Sequence, residues 1–346
     1  MRVAKEVTVA QLGGYDDIID VRSPAEYAED HIPGAISAPV LSNEERAEVG
    51  TLYVQVSPFD AKKLGAALIS RNIAHHLETL FRDKPKNWKP LVYCWRGGQR
   101  SGAMAHILAQ IGWQTGRLAG GYKAYRGHVR DELGRLPANL TYRVVCGATG
   151  SGKSRLLQVL HKQGAQVLDL EQLAQHRGSL LGNLPYAPQP AQKMFDSRLW
   201  DALRRFDPQR PVFVEAESKK IGLISMPEAL LNKIRNSDCL LIEAPVAARV
   251  QLLMEDYRHF LTDHALLTRC LAPLLPLHGH QVLEHWQTLA EQGNWAVLVE
   301  ELLTRHYDPA YRRSTASNFT QLSAARVLQL DRLDDAMLRA AVPGLL

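Results

Sequence analysis

Two short stretches carry residues that could do chemistry. The first is Tyr93-Cys94-Trp95-Arg96-Gly97-Gly98-Gln99-Arg100-Ser101, which delivers a cysteine into a loop with two glycines and two arginines. An apolar strand, Leu91 to Cys94, precedes it, and a helix from Ser101 to Ile111 follows with Gly112 as its stop. The backbone N–H groups of Trp95, Gly97, Gly98, Gln99 and Ser101 can then curl around the sulfur, and the helix N-terminus adds positive potential. Both favour the thiolate, which is the nucleophilic form. Arg96 and Arg100 bring further charge and a bidentate grip for an oxyanion. Cys94 is thus a candidate nucleophile toward a sulfur-, selenium- or phosphorus-centred anion. The plain alternative is an inert buried cysteine, against which the charge and glycine pattern argues.

The second stretch, Gly147-Ala148-Thr149-Gly150-Ser151-Gly152-Lys153-Ser154, satisfies G-x-x-x-x-G-K-[ST] in full. Gly147, Gly150 and Gly152 let the backbone wrap so that N–H groups, that of Ser151 included, point at phosphate oxygens. Lys153 would bridge the terminal phosphates, and Ser154 would ligand a magnesium ion. A strand from Thr141 to Cys146 and a helix from about Ser154 to Gln163 supply the setting that the motif needs. Which phosphate compound is held does not follow from the motif. The strand Pro211 to Val214 leads into Glu215-Ala216-Glu217-Ser218-Lys219-Lys220, a departure from the usual single Asp. Glu215 and Glu217 could support Mg2+ or phosphate, or simply cap the lysines.

These stretches need elements to position them, and 346 residues suffice for two or three domains. Tyr15 to Asp20 reads as a strand, and Ser23-Pro24-Ala25-Glu26 as a capping box that starts a helix. Further strands are expected at Ala165 to Leu170, Pro211 to Glu215 and Cys239 to Glu243; beyond about Val246 only helices and loops are expected. Strands alternating with helices argue for parallel sheets. The expected class is α/β: an N-terminal parallel-sheet domain over 1–137, a P-loop α/β domain over 138–245, and a helical region over 246–346 packed on the latter.

Hydrophobic content of 46% and a mean hydropathy of −0.20 describe an ordinary globular protein. The longest apolar candidate, Ala265 to Leu277, is broken by Arg269, Pro273 and Pro276, so no membrane partner is expected. The opening Met1-Arg2-Val3-Ala4-Lys5-Glu6 lacks a secretion signal's apolar stretch, and the chain reads as cytoplasmic. Cys94, Cys146, Cys239 and Cys270 are too few and too scattered for a disulfide framework. The spacing of Cys270, His278, His280 and His285 matches no zinc pattern, so no metal centre is expected there. His75 and His76 are read as surface residues of a helix. No tightly bound cofactor is expected.

The Cys94 loop leaves two chemistries open. C-x5-R-S describes cysteine phosphatases, although Tyr93 stands where those have a histidine; a sulfurtransferase uses the same cradle for a persulfide. Upstream, Asp20-Val21-Arg22-Ser23-Pro24-Ala25-Glu26-Tyr27 and His31-Ile32-Pro33-Gly34-Ala35 resemble the leading signatures of rhodanese sulfurtransferases, over about residues 1–135. The loop is one residue longer than in ordinary rhodaneses and should admit a larger group. Combined with the P-loop and Glu215-Ala216-Glu217-Ser218-Lys219-Lys220-Ile221-Gly222, the chain resembles the tRNA 2-selenouridine synthase family. That resemblance implies replacement of sulfur by selenium at C2 of wobble 2-thiouridine in tRNA, with selenophosphate as donor. It also implies an S-geranylated intermediate made from geranyl diphosphate, with Cys94 as the selenium-carrying nucleophile. The expected partners are tRNA and a source of selenophosphate, with no DNA. The prenyl chain needs an apolar groove, expected in the helical remainder. The alternatives are a cysteine phosphatase or ATP-dependent sulfurtransferase coupled to a P-loop kinase-like module, and a tRNA-binding protein without activity.

Charge distribution bears on the tRNA. Met1 to Asp60 holds 4 Lys/Arg against 11 Asp/Glu, whereas Arg82 to Arg135 holds 11 against 3. A basic stretch of that kind suits phosphates. Lys84, Lys86, Lys89, Arg117, Lys123, Arg126 and Arg130 are candidate contacts, interleaved with Trp88, Trp95, Trp113, Tyr122 and Tyr125. Arg312 and Arg313 form a second candidate cluster. Anticodon bases are held by stacking on such rings, but core packing is the commoner fate of an aromatic, Trp95 excepted.

Overall fold

The computed structural model describes residues 3–185 and 187–345; Met1 and Arg2 of the N-terminal opening, and the terminal Leu346, lie outside them. The chain forms two units, one comprising Met1–Glu132 with Ala191–Asp201 and the other Leu133–Pro190 with Ala202–Leu346.

The first unit is a five-stranded parallel sheet with strands β1 Lys5–Val7, β2 Asp17–Asp20, β3 Ile36–Ser37, β4 Pro90–Tyr93 and β5 Gly116–Leu118, in the order β1-β5-β4-β2-β3. β4 is buried along its whole length, as a central parallel strand covered on both faces must be. Ser23 caps the helix Pro24–Glu29 through the capping box with Glu26. The core gathers Ile19, Val21, Val92, Met104 and Leu108, with Cys94 at its margin. Register explains why the three signatures belong together: Asp20 pairs with Tyr93 across β2 and β4. The Tyr93 hydroxyl donates to Asp20 Oδ2 at 2.7 Å and accepts from the Ile32 N–H at 3.2 Å. Arg22 lies 1% exposed and chelates the Asp20 carboxylate while donating to Asp30 O at 2.6 Å. A buried pair of this kind is strongly destabilised, by about 3–5 kcal/mol, when one partner is lost.

The second unit is built on a parallel sheet of strands β6 Tyr142–Gly147, β7 Gln166–Leu168, β8 Val212–Glu215, β11 Asp238–Glu243 and β12 Arg326–Gln329, ordered β12-β11-β6-β8-β7. β9 Lys220–Ile221 and β10 Ile224–Ser225 form a separate antiparallel hairpin. The helix Lys153–Lys162 packs Leu156, Leu157 and Leu160 onto Val145 and Phe213. A second cluster, around Trp286, Leu271 and Leu298, is wholly helical.

The region after Val246 is helical except for β12, which adds an edge to the sheet and corrects the expectation of helices and loops alone. Arg326-Val327-Leu328-Gln329 is mostly exposed, so no alternation of apolar and polar residues announces it. A second correction concerns His76, which is buried with Nε2 2.9 Å from Pro39 O. Among the described residues no helix is long and apolar enough to cross a membrane.

Candidate functional site

In the first unit β4 ends at Tyr93, the loop 94–98 follows, and the helix Gln99–Ile111 begins directly after Gly98. Gly98 has no side chain to cap that helix, which leaves first-turn N–H groups for an anion. The loop is held from behind: the N–H groups of Tyr122 and Lys123 donate to the carbonyls of Cys94 and Trp95 at 2.8 and 2.9 Å. Gly121, at φ +57°, is required for this approach, because a Cβ there would sit 2.2 Å from Cys94 O. The Cys94 Sγ lies 3.1 Å from the Ser101 hydroxyl and is 3% exposed. Trp95 stands at the loop's outer side, 38% exposed, with its ring 5.3 Å from Tyr122.

The two arginines of the loop differ. Arg96 is exposed and has no hydrogen-bond or ion-pair partner among the described residues. Arg100 donates to the Glu26 carboxylate at 2.9 Å. Although burial pushes the other way, Arg100, the Ser23 N–H and Arg46 hold the Glu26 carboxyl below its usual range. The guanidinium free to grip an anion is therefore that of Arg96, and Arg100 ties the helix start to the capping box.

The basic stretch is also partly neutralised by the acidic one. Lys84 pairs with Asp17, Arg117 with Glu6, and Arg126 with Asp30 and Asp196. Arg126 is withdrawn from the surface, its guanidinium also donating to Lys193 O at 3.0 Å. Lys86, Lys89, Lys123 and Arg130 remain exposed without such partners. Trp88, Trp113, Tyr122 and Tyr125 are core residues.

In the second unit the phosphate loop leaves β6 and enters the helix Lys153–Lys162. Gly147, at φ +157°, must be glycine, since a Cβ would lie 2.3 Å from Ser151 Oγ. Lys153 Nζ folds back onto the carbonyls of Gly147 and Ala148 at 2.8 and 3.3 Å. Arg249, fixed by Asp308, donates to Thr149 O at 2.7 and 2.9 Å, and the Gly147 N–H donates to the Tyr311 hydroxyl at 2.6 Å. The loop opens on a cleft of about 1070 Å3. Arg312 and Arg313 are exposed on the helix Asp308–Asn318.

Carboxylates gather beside the loop. The Ser154 hydroxyl donates to Glu171 Oε2 at 3.0 Å, and one carboxylate oxygen from each of Glu171, Glu215 and Glu217 lies within 4.8 Å of the others. Glu171 follows β7, so it reaches Glu215 because the carboxyl ends of neighbouring parallel strands meet there. Burial and then the charge of Glu171 push Glu217 up to about 8, and burial raises Glu215 well above the carboxylate range. Neither Glu215 oxygen has a hydrogen-bond partner among the described residues. Such an oxygen set fits a hard divalent cation.

Comparison with known proteins now bears on this pair of loops. A profile of the rhodanese-like domain matches residues 5–128, and one of the tRNA 2-selenouridine synthase AAA domain matches residues 140–269. A tRNA 2-selenouridine synthase of Aeromonas salmonicida is 33% identical over 330 residues, covering 86% of this chain and 87% of the relative. The chain belongs to the tRNA 2-selenouridine synthase family. The family member of Alcanivorax borkumensis is 35% identical over 329 residues, covering 85% of this chain and 88% of its own. With that of Nitrosomonas europaea the identity is 35% over 244 residues, and the match spans 63% of the relative's length. In this tRNA 2-selenouridine synthase family member, the sulfur loop lies in the rhodanese-like part and the phosphate loop at the start of the AAA part. Glu171, Arg249, Asp308 and Tyr311 were not legible as site residues, since each is far in sequence from the motif it serves.

Proposed function

We propose that the protein modifies the wobble uridine of tRNA in two steps, S-geranylation of 2-thiouridine followed by exchange of the geranylthio group for selenium. The observation that carries this reading is the presence in one family member of both an intact Cys94 loop and an intact phosphate loop. In the first step the sulfur attacks C1 of geranyl diphosphate; the S–C bond forms, the C–O bond breaks, diphosphate leaves and N3 of the base gives up its proton. Lys153 and the loop N–H groups offset the charge that grows on the leaving diphosphate. Alkylation turns a poor leaving group into a good one. In the second step water cleaves selenophosphate, phosphate leaves, and the selenide joins the Cys94 sulfur in an S–Se bond while a small-molecule disulfide takes up the two electrons and becomes thiols. The outer selenium then bonds to C2 as the C2–S bond breaks and geranylthiol departs with a proton. A small-molecule dithiol then reduces the S–Se bond, is itself oxidised, and leaves selenium on the base. Arg96 orients the anionic donor. Purified protein given thiolated tRNA and geranyl diphosphate should yield the S-geranyl nucleoside, and added selenophosphate with a dithiol–disulfide couple should convert it to 2-selenouridine; no geranylated product would refute the first step.

Magnesium is part of the proposal. Glu171, Glu215, Glu217 and the Ser154 hydroxyl would hold it, and when bound it supplies neutralising charge to a diphosphate. The ion must displace protons from these carboxyls. With Glu217 pushed up to about 8 and Glu215 raised as well, Mg2+ affinity should rise with pH, by about tenfold per pH unit for each proton displaced. The sign for the metal-free protein is opposite. A carboxyl raised from its ordinary 4.5 to about 8 contributes stability that is present below pH 4.5 and is lost as pH climbs through 8. Calorimetric melting with and without Mg2+ should therefore show a larger stabilisation at pH 8.5 than at pH 6. Equal shifts at both would count against this ion site.

For tRNA, Lys123 and Arg130 are seven residues apart on the helix Gly121–Arg135 and face the same way. Replacing both with alanine should lower the log–log salt slope of binding by roughly 0.7–0.9 for each phosphate no longer neutralised. Arg126→Ala should leave the slope alone and lower the melting temperature instead, because its partners are Asp30 and Asp196. An unchanged slope in the double variant would put the tRNA elsewhere.

A further inference from the structure

The helix Asp308–Asn318 and the π-helical stretch before it, Leu302–Tyr307, form one wall of the phosphate-loop cleft. His306, Ala310, Ser314 and Asn318 recur every fourth residue along that wall, so one face of the run borders the cleft. Tyr311 on the same wall meets the loop, its hydroxyl accepting from the Gly147 N–H. His306 stands five residues earlier, about 7 Å along the axis. The π-helical turn that carries it is a distortion frequent at functional sites.

His306 is half-buried, and its Nδ1 lies 3.2 Å from Nε2 of His278, at the end of the short helix Leu275–His278. The His278 ring sits edge-on to the fully buried Trp286 at 5.1 Å, so this second imidazole is itself held. With the shared proton on His306 Nδ1, its Nε2 keeps a free lone pair and has no hydrogen-bond partner among the described residues. Burial, then the charges of His278 and Arg313, hold His306 below the ordinary imidazole range, so the ring is uncharged at neutral pH. The adjacent Tyr307 ring, 4.9 Å away, also stays neutral, because burial raises its hydroxyl further. Glu301, beside Trp286, is engaged by His285, Trp286 and Arg305. His176 lines the cleft too, but its Nδ1 accepts from the Gly178 N–H at 3.1 Å, which leaves its proton on Nε2 and makes it a donor there.

We infer that His306 is the general base of the geranylation step, taking the N3 proton of 2-thiouridine while His278 holds its ring. The inference rests on reading this cleft as the geranylation site, and it adds the acceptor of a proton that has to leave. As the sulfur bonds to C1 of geranyl diphosphate, the C–O pair departs with the diphosphate. The N3–H bonding pair becomes the C2=N3 double bond, and the proton passes to His306 Nε2. The imidazolium donates its Nδ1–H to His278 Nε2, then returns the Nε2 proton to water in the open cleft. Glu171, Glu215 and Glu217 surround the proposed ion site, whereas His306 is a neutral acceptor outside it. A base placed in this way contributes about 10²–10⁴ in rate.

The pH profile of S-geranylation by the full chain, at saturating Mg2+, geranyl diphosphate and thiolated tRNA, tests this. Wild-type kcat should be flat at neutral pH and fall only on the acid side, below the ordinary imidazole range. His306→Gln keeps a polar contact for His278 but takes no proton. Its kcat at neutral pH should drop about a hundredfold, with KM for geranyl diphosphate unchanged, and should climb steadily toward alkaline pH as N3 ionises unaided. His306→Ala leaves room for added imidazole, which should restore about tenfold or more. His278→Phe keeps a ring against Trp286 but removes the acceptor, and should lower kcat by less. If the wild type makes no S-geranyl product, the geranylation reading fails and the base fails with it. If geranylation proceeds and neither His306 variant alters kcat or its pH profile, that reading stands and the base is overturned. A loss that keeps the wild-type profile and that imidazole does not relieve would make His306 structural and overturn the inference too. Should the alanine variant fail to fold, the profile of His306→Gln decides alone.

Discussion

Cys94→Ser should abolish formation of 2-selenouridine while the S-geranyl nucleoside still forms and accumulates. Only the second step needs a nucleophile that can carry selenium, and serine at neutral pH offers neither the charge nor the polarisability of a thiolate. The substitution is small, and its surroundings tolerate it: Sγ already sits 3.1 Å from the Ser101 hydroxyl, so a serine would find a hydrogen-bond partner in place. Loss of folding is therefore not the expected cause of lost selenation, and retained geranylation in the same preparation checks this directly. The effect should be several decades in rate, since the covalent route is removed and not merely weakened. Nucleoside mass spectrometry after incubation with thiolated tRNA, geranyl diphosphate, selenophosphate and a dithiol–disulfide couple reads both products at once. Full selenouridine formation by the variant would eliminate a selenium carrier at this position.

Lys153→Ala tests the other half of the division of labour. Lys153 is the cation at the helix start that faces the loop, and in the structure its ammonium is satisfied by the carbonyls of Gly147 and Ala148. A bound diphosphate would draw it outward. A charge-assisted contact to a leaving group is worth about 1.5–3 kcal/mol, which corresponds to roughly one to two decades of rate. Geranylation should fall by about tenfold or more, whereas selenation of tRNA that already carries the geranyl group should proceed nearly as before, because Cys94 and Arg96 are untouched. Kinetics with pre-geranylated tRNA separate the two. Equal loss in both steps would mean that the phosphate loop serves the whole reaction or the fold.

The two loops were legible in the sequence because each is a local strand–loop–helix unit whose glycines, charges and cysteine or lysine lie within nine residues. What was not legible depends on distant partners. Arg100 and Arg126 look alike as basic residues of the stretch around Cys94, yet each is claimed by an acid from the first thirty residues, Glu26 and Asp30. The acidic and basic stretches look in sequence like a lopsided surface, and part of that asymmetry is internal pairing. Glu171 joins Glu215 only through the order of strands β7 and β8, which no spacing encodes. β12 is an exposed edge and carries no period of two. The helix Gln192–Leu203 buries Phe195, Leu199 and Trp200, and its stretch up to Asp201 falls in the first unit although its flanks belong to the second. Nothing in its own pattern says so.

The central claim is that one chain carries thiouridine through a geranylated intermediate to selenouridine. Mass spectrometry of wobble nucleosides from a strain that lacks the gene tests it most directly. The account predicts that 2-selenouridine and S-geranyl-2-thiouridine both vanish while 2-thiouridine persists, and that the intact gene restores them. Unchanged levels of both modified nucleosides in the deletion strain would contradict it.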